Sequence, residues 1–168
     1  MIARLLPALA LALAAVFFGI ALYINLAEQP ARLALADTPL LEQWKVSFGV
    51  GFMLQGSITI AAGLAGLGAY WVRRDVLARD VLGRDVLGRD WRWAAGGVLM
   101  LANWPWTLLV IAPINTALLA IPAAAAGPAS RALIEQWGLV HGGRTALSCV
   151  AAGLFAWAVA RLVPPRAP

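Results

Sequence analysis

The sequence predicts an all-α protein, an integral membrane four-helix bundle. Hydrophobic residues make up 62% of the 168 residues, and charged residues make up 12%, about half the share usual in soluble domains. A soluble fold of this length could not hide so much apolar surface. The ten-residue alternation of a membrane β-barrel does not occur in the sequence. The lipid bilayer is therefore the expected surroundings of a single transmembrane domain covering residues 1–168.

Four apolar segments have the length needed to cross a bilayer, roughly 20 residues. They cover about 2–26, 46–72, 94–112 and 142–163. The first is longer than the apolar core of a signal peptide, so we interpret it as a span; its alanine-rich start leaves a cleaved signal as the alternative. Pro30 is expected to end the first helix. The fourth helix is expected to begin near Ser130.

Lysine and arginine are distributed unequally between the two sides of the predicted bundle. Nine lie at the termini or in the loop 73–92: Arg4, Arg73, Arg74, Arg79, Arg84, Arg89, Arg92, Arg161 and Arg166. Four lie on the other side: Arg32, Lys45, Arg131 and Arg144. This asymmetry predicts that both termini and the loop are cytoplasmic, in a bacterial inner membrane. Because the arginines flank apolar runs rather than form a basic face, the net charge of +5 does not indicate nucleic acid.

The loop 73–92 contains an internal repeat with a period of five residues. Arg-Asp-Val-Leu followed by a small residue begins at Arg74, Arg79 and Arg84, and a last Arg-Asp begins at Arg89. A period of five gives no coherent apolar face on a helix, so a coiled coil is not predicted. We interpret the repeat as a tolerated, duplicated loop insertion. The alternative is a strap that docks lipid headgroups or a partner.

Polar residues gather on the predicted outer side of the membrane. On the fourth helix, spacings of 4, 3 and 4 place one stripe within an arc of about 60°: Trp137, His141, Arg144 and Ser148. Ionisable residues in a span indicate function, although these could instead reach to headgroups or anchor the interface. We favour a pocket wall, completed by Asn25 and Glu28 from one face of the first helix. Glu28 is then the expected partner of Arg144.

The order of motifs resembles the anthrone-oxygenase family of small four-helix membrane proteins. The resembling elements are Tyr23-x-Asn25, Glu28-x-Pro30-x-Arg32, Trp44, Pro105-Trp106-Thr107, Pro113-x-Asn115-x-x-Leu118 and Trp137-x-x-x-His141-x-x-Arg144-Thr145. The sequence departs from the family pattern in the Arg-Asp-Val-Leu repeat and at Trp106, where tyrosine or phenylalanine is more usual. The resemblance implies the fold and a site at the last element. It does not fix the substrate, because the family's named activity belongs to polyketide pathways.

These residues suit an oxidase or oxygenase that acts on a flat phenolic, anthrone or quinone-type substrate. His141, with an ordinary pKa of about 6.5, is the expected base. Arg144 is expected to stabilise an oxyanion, and Glu28 to orient one of the two. These three are the predicted catalytic residues. The predicted substrate-binding residues are Asn25, Trp104, Trp106, Asn115, Trp137 and Ser148, with the tryptophans sandwiching the rings.

No cofactor or metal is predicted. The sequence has no glycine-rich phosphate loop, and its single cysteine, Cys149, is expected to serve packing. Histidine and carboxylate residues are too few for a dedicated metal site; a haem on His141 or a bound quinone is the alternative. The expected partners are the bilayer and a small aromatic ligand. The rival function is a non-catalytic accessory subunit, or a quinone- or lipid-binding module, of a larger membrane complex, and a homo-oligomer stays open.

Overall fold

The computed structural model of the protein describes residues 2–73, 75–79 and 85–162. Within them, four helical rods are long and apolar enough to cross a membrane. They are the first span (Leu5–Leu33), the second span (Asp37–Val72), the third span (Trp91–Ala120) and the fourth span (Pro128–Ala160). The predicted all-α, four-helix membrane fold is confirmed.

Two of the spans are built from more than one kind of helix. The first comprises α1 (Ile2–Tyr23), a π-helical turn (Ile24–Glu28) and α2 (Gln29–Leu33). The second span is α3 (Asp37–Val72). The third span comprises α4 (Trp91–Trp106), a π-helical turn (Thr107–Ile111) and α5 (Ala112–Ala120). A short 3₁₀ turn (Ala123–Ala125) follows it, and the fourth span is α6 (Pro128–Ala160).

Consecutive spans pack against each other, and the fourth packs back on the first, so the rods form a closed ring of four. We call the end that holds the connections 34–36 and 121–127 the site end. The other is the hairpin end, where Arg73 Nη1 donates to the Ala3 carbonyl at 2.6 Å. The first helix therefore begins beside the segment that follows the second span. Which end faces the cytoplasm stays a prediction.

Small residues allow the spans to approach closely at the hairpin end. A methyl group on Gly97 would lie 2.9 Å from the Gly63 carbonyl oxygen, so the backbones of the second and third spans touch there. Gly66 and Gly96 have no side chain and so leave room for the ring of Phe155. Close backbone approach is how helices gain packing energy in lipid. The core at this end is consequently dense.

The prolines Pro30 and Pro113 do not end their helices. Before each, one backbone N–H bonds to the carbonyl five residues earlier: Gln29 to Ile24, and Ala112 to Thr107. A proline has no N–H and its ring crowds the carbonyl four residues back. The wide π-helical turn relieves that conflict. The expectation that Pro30 turns the chain was therefore wrong, and the first helix continues to Leu33.

Part of the repeat forms a short antiparallel hairpin. Strands β1 (Asp75–Arg79) and β2 (Asp85–Gly88) pair Asp75 with Gly88 and Arg79 with Asp85. The sequence predicted a loop here and gave no strand signal. Residue 74 and residues 80–84 of the repeat lie outside the described residues. In the part of the chain that is described, the strand backbones approach no element except each other.

Deleting Arg79–Gly88 should leave the bundle intact. The deletion joins Ala78 to Arg89 and so preserves the Arg-Asp order into the third span, and it removes most of two strands whose described backbone approaches no other described element. We expect the midpoint of thermal unfolding in detergent to change by less than about 2 °C. Loss of expression, or of a co-purifying partner, would instead support the strap interpretation.

Candidate functional site

A cavity of about 320 Å³ lies among the four spans toward the site end. Its lining includes five of the residues singled out in the sequence: Glu28, Asn115, Trp137, His141 and Arg144. They come from three different spans, so the bundle brings together groups up to 116 positions apart. Arg32, Ser47, Gln55 and Thr107 add further polar groups to the same wall.

Asn25 holds the His141 ring from behind, outside the cavity lining. The Asn25 amide nitrogen donates to the Gly138 carbonyl at 3.0 Å, which fixes the orientation of the amide. Its oxygen therefore faces His141 Nδ1 at 2.8 Å, and it also accepts from the Thr145 hydroxyl at 3.0 Å. An amide oxygen only accepts, so Nδ1 must carry a hydrogen. The lone pair of a neutral His141 is then on Nε2.

A second amide one turn along repeats this attachment. Gln29 Nε2 donates to the Ile134 carbonyl at 2.8 Å, so two side chains four residues apart on the first span bind two carbonyls four residues apart on the fourth. Gly138 makes the approach possible, because a methyl group there would lie 2.6 Å from Gln29 Nε2. The first span is thereby fixed against the helix that carries His141.

Arg144 does not have the partner expected for it. Its guanidinium carbon lies 5.0 Å from the centre of the Phe17 ring. Within the described chain no carboxylate pairs with Arg144, and its buried Nε has no hydrogen-bond partner. The expected Glu28–Arg144 pair is thus a wrong prediction. A buried cation without a counter-charge is costly, which makes this end of the cavity suited to an anion.

Glu28 pairs instead with Arg32, four residues along the same helix. Arg32 Nη2 also donates to Ser47 Oγ at 3.0 Å, and Gln43 Nε2 donates to the Glu28 carboxylate at 3.4 Å. We call this group the polar bridge, because it links the first span to the second at the site end. An i,i+4 partner forms locally without requiring the helices to meet, so Arg32 takes the carboxylate.

Aromatic rings of the second span, which the sequence interpretation did not assign to the site, form one wall of the cavity. Trp44 stacks on Phe48 with ring centres 5.1 Å apart, and Phe52 follows at 5.7 Å from Phe48. Trp137 stacks on His141 at 4.8 Å and its Nε1 donates to Asn115 Oδ1 at 3.0 Å. The spacing of four between Trp44, Phe48 and Phe52 was a readable signal for one helix face.

Four predicted substrate-binding residues lie outside the cavity lining: Asn25, described above, and Trp104, Trp106 and Ser148. Trp106 donates to the Val140 carbonyl at 2.9 Å and fills the notch left by Gly143. Trp104 donates to the Gly56 carbonyl at 3.3 Å and sits behind Phe52. Ser148 donates to the Arg144 carbonyl at 2.8 Å. Trp104 and Trp106 hold neighbouring spans together, whereas the Ser148 bond stays within the fourth span. Of the three tryptophans expected to sandwich the substrate, only Trp137 lines the cavity.

Comparison with known proteins connects this geometry to a family. A model of the family described as anthrone oxygenase matches residues 44–154, about two-thirds of the chain. The chain belongs to the anthrone oxygenase family. No curated protein and no solved structure matches it. The part matched by the anthrone oxygenase model includes Asn115, Trp137, His141 and Arg144, but not the first span, which supplies Asn25 to the site.

The donor set of this anthrone oxygenase family member offers little to a metal ion. Among the described residues no three His, Cys, Asp or Glu side chains lie close enough together to hold one. Cys149, which was expected to serve packing, is instead exposed. Whether the protein uses a cofactor stays a prediction.

Replacing Gly143 by alanine should destabilise the site. The new methyl group would lie 2.4 Å from the rigid Trp106 ring, so the ring must move off the Val140 carbonyl. Overpacking of this kind costs about 1–3 kcal/mol. Gly153→Ala on the same helix meets nothing within 4 Å and is the matched control. Equal unfolding free energies of the two variants, measured in mixed micelles, would contradict the packing described here.

Proposed function

We propose that this anthrone oxygenase family member is a membrane-embedded oxygenase that acts on a flat phenolic substrate by base-assisted, cofactor-independent chemistry. One observation carries the proposal: His141 and Arg144 line the same cavity, and neither His141 Nε2 nor the Arg144 guanidinium has a hydrogen-bond or ion-pair partner among the described residues. A base and a cation that both lack protein partners are suited to a substrate that gives up a proton and becomes an anion.

His141 is the proposed base, and Asn25 is its positioning residue. An anthrone is a phenolic tricycle whose methylene group is acidic, because the resulting anion delocalises onto the carbonyl oxygen. With Nδ1–H bound to Asn25, the proton from the methylene goes to Nε2. The imidazolium that forms keeps its bond to the amide oxygen. Such positioned proton transfer typically contributes 10²–10⁴-fold to a rate.

Arg144 is the proposed stabiliser of the anion. It supplies the positive charge, since Glu28 already neutralises Arg32. Arg144 is buried, so its guanidinium interacts with a developing oxyanion beside it more strongly than in solution. Phe17 lies against the guanidinium and restricts its movement. The negative charge of the substrate therefore forms beside the positively charged guanidinium of Arg144.

Dissolved dioxygen is the proposed co-substrate. The electron-rich carbanion transfers one electron to dioxygen, and the resulting radical and superoxide combine to form a carbon–oxygen bond. The peroxide anion takes the proton back from His141. The hydroperoxide then loses its remaining C–H proton and hydroxide as water, which leaves a carbonyl. In sum, one methylene and one dioxygen give one carbonyl and one water, so atoms and electrons balance.

The shape of the cavity supports a flat ring system. Its volume of about 320 Å³ falls within the range of about 300–1,000 Å³ typical of small-molecule sites. Trp44, Phe48, Phe52 and Trp137 line it with aromatic surface, against which fused rings stack favourably. Polar groups are fewer and come from every span, among them Gln55, Thr107, Asn115, His141 and Arg144. This combination selects a planar molecule with few oxygens.

His141→Gln should lower turnover by about 10²–10⁴-fold. Glutamine can still hydrogen bond to Asn25 but is a poor base at neutral pH. The measurement is oxygen consumption in lipid nanodiscs with 1,8-dihydroxyanthrone, corrected for autoxidation. Glu135→Gln, exposed on the same helix, is the control and should match the wild type. If wild type and His141→Gln consume oxygen at the same rate while both bind the ring system, a quinone-binding module becomes the better description.

Arg144→Met should lower turnover and raise stability together. Methionine removes the unpaired buried charge while keeping much of the volume, and such replacements are often neutral or stabilising by about 1–4 kcal/mol. Turnover should fall by about 10²–10³-fold because the anion loses its cation. Unfolding and oxygen consumption are measured on one preparation. A variant that is less stable than the wild type would mean that Arg144 has a structural role and that the cavity is not built for an anion.

A further inference from the structure

We infer that the substrate reaches the cavity sideways from the lipid bilayer, as a neutral molecule, through an opening between the first and second spans. The opening is framed by Tyr23, Val50 and Leu54, all of which line the cavity. This inference rests on the proposed function and specifies its substrate class: a flat phenol that dissolves in membranes and is uncharged until His141 removes a proton.

The site end of the cavity is closed. Fully buried apolar side chains cover it, among them Leu40, Leu41, Leu118 and Ile134. Two basic side chains bind the connections between the spans across these buried side chains. Arg131 pairs with Asp37 at 2.6 Å and donates to the Leu33 and Leu35 carbonyls.

Lys45 is the second of these basic side chains. It donates to the Ile121 carbonyl at 2.6 Å and to the Leu119 carbonyl at 3.2 Å, so the connection between the third and fourth spans is held against the second. A ligand that entered from the water at this end would have to break these bonds and separate the cover.

The hairpin end of the cavity is closed as well. Below it, Phe17 and Ala14 of the first span belong to the same buried cluster as Ala62, Met100 and Phe155 from the other three spans. All five side chains are fully buried. With both ends closed, entry along the bundle axis is excluded for a molecule the size of a tricycle. Entry must therefore pass between two spans.

The wall of the cavity has a gap between the first and second spans. These spans pack through α1 and again through α2, but the backbone of the π-helical turn Ile24–Glu28, which is described in full, does not approach the second span. Of the residues beside this gap, Tyr23 is 62% exposed, Val50 is 71% exposed and Leu54 is 52% exposed. They line the cavity and face outward at once, so the cavity opens between them.

The opening faces lipid rather than water. Val46 and Met53, which flank it on the second span, are apolar and 74% and 69% exposed. An exposed face this apolar is stable when it contacts the hydrocarbon tails of lipids. An ion would have to leave water and cross this face at a cost of several kcal/mol. A neutral phenol crosses it readily, and the polar bridge lies at the site-end edge of the gap, where it can bind the hydroxyl group.

Narrowing the opening without touching the cavity floor tests the inference. We would place tryptophan at Val50, at Leu54 and at both, in nanodiscs. The probe is 1,8-dihydroxyanthraquinone, a flat phenolic tricycle without the reactive methylene, followed by stopped-flow quenching of tryptophan fluorescence. Gly49→Trp is the control, because Gly49 is exposed, has nothing within 4 Å of its Cβ direction and lies outside the lining. Each variant adds tryptophan to the same helix.

An entrance has a kinetic signature that a binding residue lacks. Closing it should slow association and dissociation by the same factor, at least about tenfold in the double variant, and leave Kd within about twofold. Gly51→Phe fills the cavity itself, where a Cβ meets only Gln55 at 3.9 Å, and should abolish binding.

The possible failures are distinguishable. Unchanged rates in the double variant, with binding lost in Gly51→Phe, would overturn the entrance and leave the proposed function standing. A raised Kd with faster dissociation and unchanged association in the single variants would make Val50 and Leu54 binding residues and would also overturn the entrance. Absence of probe binding to the wild type would overturn the proposed function, and this inference with it.

Discussion

The side-chain amide of Asn25 makes three hydrogen bonds, to Gly138, His141 and Thr145, and the geometry of the site depends on them. Inside a bilayer no water replaces a lost bond, so a buried amide is either fully paired or costly. Pairing it fixes the separation of the first and fourth spans and the tautomer of the imidazole in a single step. Gln29 repeats the attachment one turn further on. Without the Asn25 contact, no other bond among the described residues would fix which nitrogen of His141 carries the hydrogen.

The first span contributes through a helix that is locally unusual. Its π-helical turn carries Asn25 and Glu28 and ends directly before Gln29. Such turns insert a residue into the helical register and are frequent at functional sites. Here the wide turn accommodates Pro30, presents the Asn25 amide to the fourth span and leaves a gap toward the second span. One backbone feature thus positions both the amide that holds His141 and the gap beside the cavity, although the family match begins only at residue 44.

The fold and part of the cavity lining were readable in the sequence, for physical reasons that differ. Apolar length predicted four spans, and the 4-3-4 spacing predicted that Trp137, His141 and Arg144 share a face. The sequence did not show which of several possible partners a given side chain contacts. Composition does not distinguish a tryptophan that lines a cavity from one that fills a glycine notch, as Trp106 does at Gly143. The sequence prediction paired Glu28 with the distant Arg144, although Arg32 lies four residues further along the same helix.

That local pair determines what the cavity can do. Because Arg32 occupies the Glu28 carboxylate, Arg144 keeps its full charge beside His141. A carboxylate on Arg144 would stabilise the folded protein and would at the same time cancel the field that an oxyanion needs. The protein therefore keeps an unpaired cation at the expense of stability, as functional sites commonly do. Under the proposed function, a substrate that enters neutral from lipid avoids the cost of carrying charge through hydrocarbon, and its negative charge would form only where Arg144 can balance it.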